Sequence, residues 1–522
     1  MTEGTRDDQL QPGTLMALVA MALGIFVIAN DFTALNVALP AIEQDYDVDV
    51  GSVQWVINAY ALVFGMAIVS GGRLADMFGR RRIFFIGSFV FAGFSALGAV
   101  APALGVLIAA RVGMGVGGAL MWPAILGMTF AALPESKAGL AGGLVLGVAG
   151  IGNAVGPLLG GALTEAIDWR AIFVLNIPVA LFAVLVTAKY VHQDEDLKAE
   201  RIDYAGMASI SAGLILLLIA LDQSVDWGWG DWRVITMLIV AATLIASFTR
   251  IERRAGENAL IPPDVIANAR FRYACLIVLL MSAVFFASVL YVPQFYEKIL
   301  GYTAVEAGLG MLPMMGAFAA TSFIAGPLYD RIGGTRVVAG GAGMIALGAL
   351  LLGILVGPGA DLLALSPCLL VIGIGCGLFY PSVTTAAVTA LDAARASLAG
   401  GIVYMFQIAG GAVGLGVATT IFTMRSEHVL DHDAATEGVD LTTHQVAVLH
   451  GDLAGTDSAV AAVSQLPAAA RDTVTSIVED SFAIGVQTSF RVIAVVAVIG
   501  FLVAIFGLAR TPEPDAAAPA ES

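Results

Sequence analysis

The chain has 522 residues, of which 58% are hydrophobic and only 13% charged, with mean hydropathy +0.88 and a formal net charge of −16. A soluble globular protein carries about a quarter charged residues, so this composition excludes a water-soluble fold, whose interior is too small to hide so apolar a chain. The class it implies is an all-α polytopic membrane protein.

Uncharged apolar runs long enough to cross a bilayer, roughly 18 residues or more, recur near 15–39, 52–72, 83–101, 104–127, 138–163, 170–190, 204–222, 233–250, 272–296, 306–328, 336–357, 361–383, 396–424 and 487–509. That makes fourteen predicted spans. The first run is too long for a signal-peptide core and no small-residue cleavage site follows it, so it is expected to stay as the first span. The two after residue 200 are short and flanked by Trp. Cys275, Cys368 and Cys376 all sit in or beside apolar runs and read as small apolar filler.

The first span carries Asp31, nine residues before Pro40, which puts it about 13 Å from that end at the helical rise. The second carries Trp55, Asn58 and Tyr60 and runs into the turn Gly72-Arg73-Leu74-Ala75-Asp76-Met77-Phe78-Gly79-Arg80-Arg81-Arg82. The fourth carries Arg111, seven residues after Leu104 and so about 10 Å deep. In the fifth, Gly139, Gly143 and Gly147, then Gly152, Gly156 and Gly160, recur four apart on one face. Such small residues let helices pack closely. Pro157 lacks a backbone donor and can bend the helix, and Gly161 follows Gly160; a close-packed, bent helix between the halves suits a gate formed by Gly147, Gly152, Gly156, Pro157, Gly160 and Gly161. The tenth span ends in Gly326-Pro327-Leu328-Tyr329-Asp330-Arg331-Ile332-Gly333.

Both turns read G-x-L-x-D-x-x-G, and both leave an apolar span on the same side. A repeat on one side implies parallel halves related by an axis along the membrane normal. The expected division is a six-helix bundle at 1–195, two additional helices at 196–260, a second six-helix bundle at 261–510 and a tail at 511–522. The glycines allow a tight turn, and the acid can face the positive N-terminal end of a neighbouring helix or pair with the arginines. With the N-terminus placed in the cytoplasm, eighteen of the 25 Lys and Arg fall in inner segments and six in outer ones, with Arg111 inside a span. That bias predicts both termini inside.

Between the last two spans, 425–486 carries ten acids and four of the five histidines: His428, His432, His444 and His450. The spacing matches no standard metal-ligand pattern, so a solvated acidic outer loop is expected. Val474, Ile477, Val478 and Phe482 recur at helical spacing, as in an amphipathic helix lying on the membrane.

Asp31 is the only deep carboxylate in these spans and Arg111 the only deep base; Asp222, Glu297, Glu306 and Asp361 fall near span ends. An ionisable residue within a span is costly and functional by default. The two share a depth in one half. A carboxylate that holds either a proton or a cation exchanges one for the other without further machinery. A polar cap for Asp31 and an anchor on backbone carbonyls for Arg111 are the structural alternatives. Candidate cavity residues on facing spans are Trp55, Asn58, Tyr60, Tyr291, Gln294, Tyr380, Met405 and Gln407: aromatic faces attract cations and methionine adapts to varied shapes.

Four stretches carry a family resemblance: 31–40, from Asp31 to Pro40; 55–62, followed by the turn at 72–82; Arg111-Val112-Gly113-Met114-Gly115-Val116-Gly117-Gly118; and 147–161, ending Gly156-Pro157-Leu158-Leu159-Gly160-Gly161, followed by Trp169 to Pro178. Over about 14–510 the chain resembles the major facilitator superfamily, in its fourteen-span drug:proton antiporter branch of EmrB/QacA type. The stretch at 147–161 is similar to the antiporter motif of the exporters. The chain departs from the family pattern at Met114 and Glu297, where Gln is usual, and at Phe406, where Arg often precedes the equivalent of Gln407.

The resemblance implies a proton-driven exporter of amphipathic or cationic small molecules in the cell membrane, with no cofactor beyond the proton gradient. Its partners are such molecules, protons and the bilayer, without nucleic acid, and it works as a monomer. A same-fold transporter dedicated to one solute, such as a secondary metabolite, siderophore or lipid, is the alternative. A membrane enzyme or receptor is a third reading. No nucleophile, metal or phosphate-loop constellation supports an enzyme, and no ATP-binding motif suggests another energy source.

Overall fold

A chain in hydrocarbon must satisfy its backbone polar groups within each segment, and helices do so without a partner. The computed structural model describes residues 12–48, 50–191, 203–256, 259–436 and 468–511, and among them there are fourteen helices long and apolar enough to span a membrane and no strands. They are α1 (Pro12–Tyr46), α2 (Val50–Phe78), α3 (Arg80–Ala99), α4 (Leu104–Ala132), α5 (Ala138–Ala166), α6 (Arg170–Tyr190), α7 (Tyr204–Trp227), α8 (Trp232–Ala255), α9 (Ala269–Lys298), α10 (Leu312–Ile332), α11 (Gly334–Leu355), α12 (Leu362–Val388), α13 (Ala396–Thr436) and α14 (Ala468–Val503). Polar residues set several starts: Asp203 accepts from Gly206 N–H, Asp231 from Arg233, Asn268 from Phe271 and Asp361 from Ala364, each satisfying a helix-start donor that has no partner within its helix. Side chains such as Phe89, Leu185, Ile354 and Phe506 point outward, which suits a surface facing lipid.

α1 packs on α5 and α6, and α4 on α2 and α3; α12 packs on α10 and α11, and α13 on α9 and α14. The two groups meet where α5 lies against α10 and α12, and α13 against α2 and α4. The hairpin of α7 and α8 lies along this seam, with α7 touching both α2 and α13. Gly79 and Gly333, the last glycines of the two turn motifs, have φ of 95° and 90°. Only glycine takes up such a backbone without strain, and it lets α2 turn sharply into α3, and α10 into α11.

The segment at 425–486 departs from expectation. α13 continues to Thr436 and α14 already begins at Ala468, so the flanks of the expected loop are helix. Val474, Ile477 and Phe482 are buried and Val478 packs on the core, with the Phe482 ring 5.1 Å from Phe422 of α13. These side chains therefore repeat at helical spacing because they face another helix, which corrects the reading of a helix lying on the membrane. His428 and His432 stack one turn apart. The remainder of the acidic segment, with His444 and His450, lies outside the described residues.

Candidate functional site

Asp31 on α1 and Arg111 on α4 meet, with 2.5 Å between Arg111 Nη1 and Asp31 Oδ2, and both are fully buried. The rest of the guanidinium is held as firmly. Its Nε donates to the Val56 carbonyl at 2.8 Å, its face lies 4.2 Å from the Tyr60 ring centroid, and Met114 Sδ is 3.9 Å from Nη1. The second carboxylate oxygen, Asp31 Oδ1, accepts from Asn176 Nδ2 of α6 at 2.8 Å. Opposite charges sealed together cancel, but removing one partner of such a pair costs about 3–5 kcal/mol, because the other charge stays buried and unpaired. Arg111 thus does two things at once, pairing with the acid and anchoring on a carbonyl, and Asp31 is no helix cap.

From this pair an aromatic chain leads to the seam. Tyr60 stacks on Phe64, Phe32 meets both edge-on, and Phe64 meets Trp122 of α4 and Tyr404 of α13. Trp122 and Tyr404 are 4.5 Å apart across the seam.

α5 changes partner along its length. A Cβ on Gly139 would strike the Gly326 carbonyl, one on Gly143 the Ser322 carbonyl, and one on Gly147 the Phe323 ring, all on α10. A Cβ on Gly152, Gly156 or Gly160 would instead strike α1, at Ala29, Thr33 and Asn30, or the Ala34 carbonyl. The two glycine sets therefore serve different contacts. The first set packs across the seam, while Gly152, Gly156 and Gly160 pack α5 on α1 beside Asp31. Pro157 deprives the Asn153 carbonyl of its helical donor, and Thr33 Oγ1 of α1 donates to that carbonyl at 3.3 Å.

The turn motifs reach across the seam in both directions. Asp76 accepts from the backbone N–H of Ser397 at 3.3 Å and Leu398 at 2.8 Å, in the first turn of α13. Arg80 Nε pairs with Asp76 at 3.2 Å, and its other nitrogens donate to the carbonyls of Gly127 and Ala393. A Cβ on Gly72 would press on the Ser397 carbonyl. In the other copy, Asp330 accepts from Gly139 N–H at 3.1 Å, in the first turn of α5. Each acid thus meets the positive end of a helix from the other group. Arg81 turns away to the Ala188 carbonyl at 2.7 Å and the Phe85 ring, and Arg331 is exposed.

A family model described as Major Facilitator Superfamily matches residues 21–415. The chain belongs to that superfamily. Among similar members of this Major Facilitator group are the tetracenomycin C resistance and export protein of Streptomyces glaucescens (30% identical, covering 97% of this chain and 93% of that protein), the puromycin resistance protein pur8 of Streptomyces alboniger (33%, covering 84% and 88%) and the multidrug resistance protein Stp of Mycobacterium tuberculosis (32%, covering 78% and 75%). The human organic anion transporter MFSD10 shares the fold at a TM-score of 0.62 and 13% identity, over 95% of this chain and all of that one. The chain is thus a multi-pass Major Facilitator membrane transporter for small molecules, of fourteen-span drug-antiporter type.

The structure divides the candidate cavity residues of this Major Facilitator chain. Tyr60 and Tyr380 are buried, Tyr60 against Arg111 and Tyr380 on Ser282 Oγ at 3.3 Å among Phe285, Phe318 and Phe379. Tyr291 is buried and donates to Thr419 Oγ1 at 2.8 Å, and Met405 is buried. Trp55, Asn58, Gln294 and Gln407 are part-exposed. Sequence reasoning passed over Asn176, Phe64, Trp122 and Tyr404, which carry no charge to draw attention. It also passed over Glu252 at the end of α8, a buried acid that accepts from Leu260 and Ile261 N–H at 3.1 and 2.9 Å and so pins the chain after α8 to that helix. Glu306 caps a short helix with Thr303 and Glu297 is exposed.

Proposed function

We propose that this transporter exports amphipathic or cationic small molecules in exchange for protons, from a cell membrane in which both termini and both turn motifs face the cytoplasm. The observation that carries the reading is the Asp31–Arg111 pair, a fully buried carboxylate at span depth whose charge is balanced by one cation. A proton on Asp31 or a cationic substrate beside it would each compete with Arg111 for the same carboxylate, so the two cargoes exclude one another. The aromatic chain from Tyr60 to Tyr404 suits flat or cationic solutes, and relatives bear names of drug resistance and antibiotic export. The excess of basic residues on the side of the turn motifs supports the orientation. The cross-seam contacts of Gly72, Gly139, Gly143, Asp76 and Asp330 all lie toward the turn-motif ends of their helices, so with this orientation the protein is closed to the cytoplasm.

Everted vesicles containing the protein, energised with a pH gradient, should take up cationic dyes and antibiotics, and should lose that uptake when the gradient is collapsed. Uptake of one compound alone from a broad panel would favour a dedicated transporter; uptake that persists without the gradient would overturn proton coupling. Orientation has its own test. Ser476 is exposed on α14 beyond the expected membrane boundary, and the three natural cysteines are buried. A Ser476→Cys variant should react with an impermeant thiol reagent added to intact cells. Labelling only after permeabilisation would reverse the topology.

A further inference from the structure

Asn176 stands on α6, in the stretch from Trp169 to Pro178, and is fully buried. Its amide nitrogen donates to Asp31 Oδ1 at 2.8 Å and lies 3.5 Å from Ser95 Oγ of α3, while its own Oδ1 is buried with no hydrogen-bond partner. Ser95 in turn donates to the Phe173 carbonyl at 2.9 Å. A buried acceptor without a donor is costly, and here it belongs to the same amide that holds the coupling carboxylate.

We propose that Asn176 is the positioning residue that senses protonation of Asp31, its amide donating to the carboxylate and reversing to accept from the protonated acid. The inference rests on Asp31 being the proton site. Both carboxylate oxygens accept in the structure: Oδ2 faces Arg111 and Oδ1 faces the amide N–H. A proton arriving from the open side of the transporter adds to Oδ1, the oxygen turned away from the guanidinium. That oxygen then becomes an O–H donor, and an amide N–H pointing at it is a mismatch. A half-turn about the end of the Asn176 side chain exchanges nitrogen for oxygen with almost no change of shape. The unpartnered Oδ1 then receives the Asp31 O–H. No bond other than the O–H forms or breaks, and the single proton is the one to be exchanged.

The charged and polar groups that face Asp31 are Arg111 from α4, Tyr60 from α2 and Asn176 from α6. The Arg111 guanidinium only donates, to Asp31 Oδ2 and to the Val56 carbonyl. Tyr60 presents its ring to that guanidinium, and its hydroxyl has no partner. Of the two groups hydrogen-bonded to Asp31, Arg111 and Asn176, only Asn176 can both donate and accept.

A hydrogen bond to a charged acid is about twice as strong as one to a neutral partner, so removing the amide favours the protonated form. Asn176→Leu, close to Asn in shape, should move the pH at half-maximal exchange upward by up to about one unit. The infrared band of a protonated buried carboxyl, isolated by subtracting Asp31→Asn, should persist to higher pH by the same amount. Asn176→Asp, which sets a second carboxyl against Asp31 Oδ1, should move both midpoints further in the same direction and serves if the Leu variant does not insert. A role in packing alone predicts lower rates with unmoved midpoints, and that result would overturn the inference. If Asp31→Asn lacks the infrared band and the exchange but the Asn176 variants keep the parental midpoints, only this inference fails. If Asp31→Asn still exchanges protons, the reading beneath it fails instead.

Discussion

Asp31→Asn should abolish substrate export driven by a pH gradient. The substitution preserves the shape of the side chain, but it replaces one of its two acceptor oxygens by an amide nitrogen and leaves Arg111 buried without a counter-ion. Breaking one side of such a pair costs about 3–5 kcal/mol, so the variant should also unfold at lower temperature in detergent. Arg111→Ala should destabilise comparably and move the pH dependence of transport upward, because loss of the cation favours a protonated acid. The double variant should be less destabilised than the two single losses combined, since no lone charge remains. Arg111→Lys should rescue only in part: a point charge cannot hold both Asp31 and the Val56 carbonyl as the guanidinium fork does. One carboxylate exchanging one proton for a monovalent cation moves no net charge, so parental transport should follow the pH gradient and ignore membrane potential. Proteoliposomes under each gradient alone supply the measurement. Parental rates of monovalent-cation exchange in Asp31→Asn would place the coupling elsewhere.

Gly156→Leu should cripple transport while leaving insertion intact. A Cβ at Gly156 would collide with Thr33 Oγ1 and lie 3.0 Å from the Asn30 carbonyl and 3.1 Å from Ala34 N, all on α1 and flanking Asp31. Backbone cannot yield as a flexible side chain can, so α1 and α5 must part. Overpacking of this kind costs about 1–3 kcal/mol, enough to tilt a balanced pair of conformations about tenfold, and a transporter must visit both. Insertion follows the hydropathy of each span, which leucine raises. Gly161→Ala is the control: its Cβ would meet only Val37 Cγ1, at an ordinary 3.5 Å, and transport should remain parental. Purified variants of equal yield, assayed for pH-driven dye exchange, decide the matter. Parental exchange in Gly156→Leu would reduce the glycine row to ordinary helix packing.

The spans were legible because lipid admits no compromise. A segment that crosses it must be helical and almost uncharged along its whole length, so hydropathy alone locates fourteen helices. The rarity of charge in that setting also singled out Asp31 and Arg111, and counting residues from the span ends placed them at one depth. The two turn motifs were legible as a repeat, and their acids as groups suited to a helix start.

What only the tertiary structure decided is where these groups find their partners. No local pattern tells Asp76 to seek the first turn of α13, more than three hundred residues away, or Asp330 to seek that of α5. Glycines four apart mark a close-packed face without saying which helix meets it, so the division of α5 between α10 and α1 was hidden. Asn176 and the Phe64, Trp122 and Tyr404 cluster escaped notice because uncharged residues are common in spans, and their role comes from what stands opposite. The segment at 425–486 misled for a related reason: charge reports exposure to water, whereas helices can continue past the bilayer when two of them, here α13 and α14, bury an apolar face against each other.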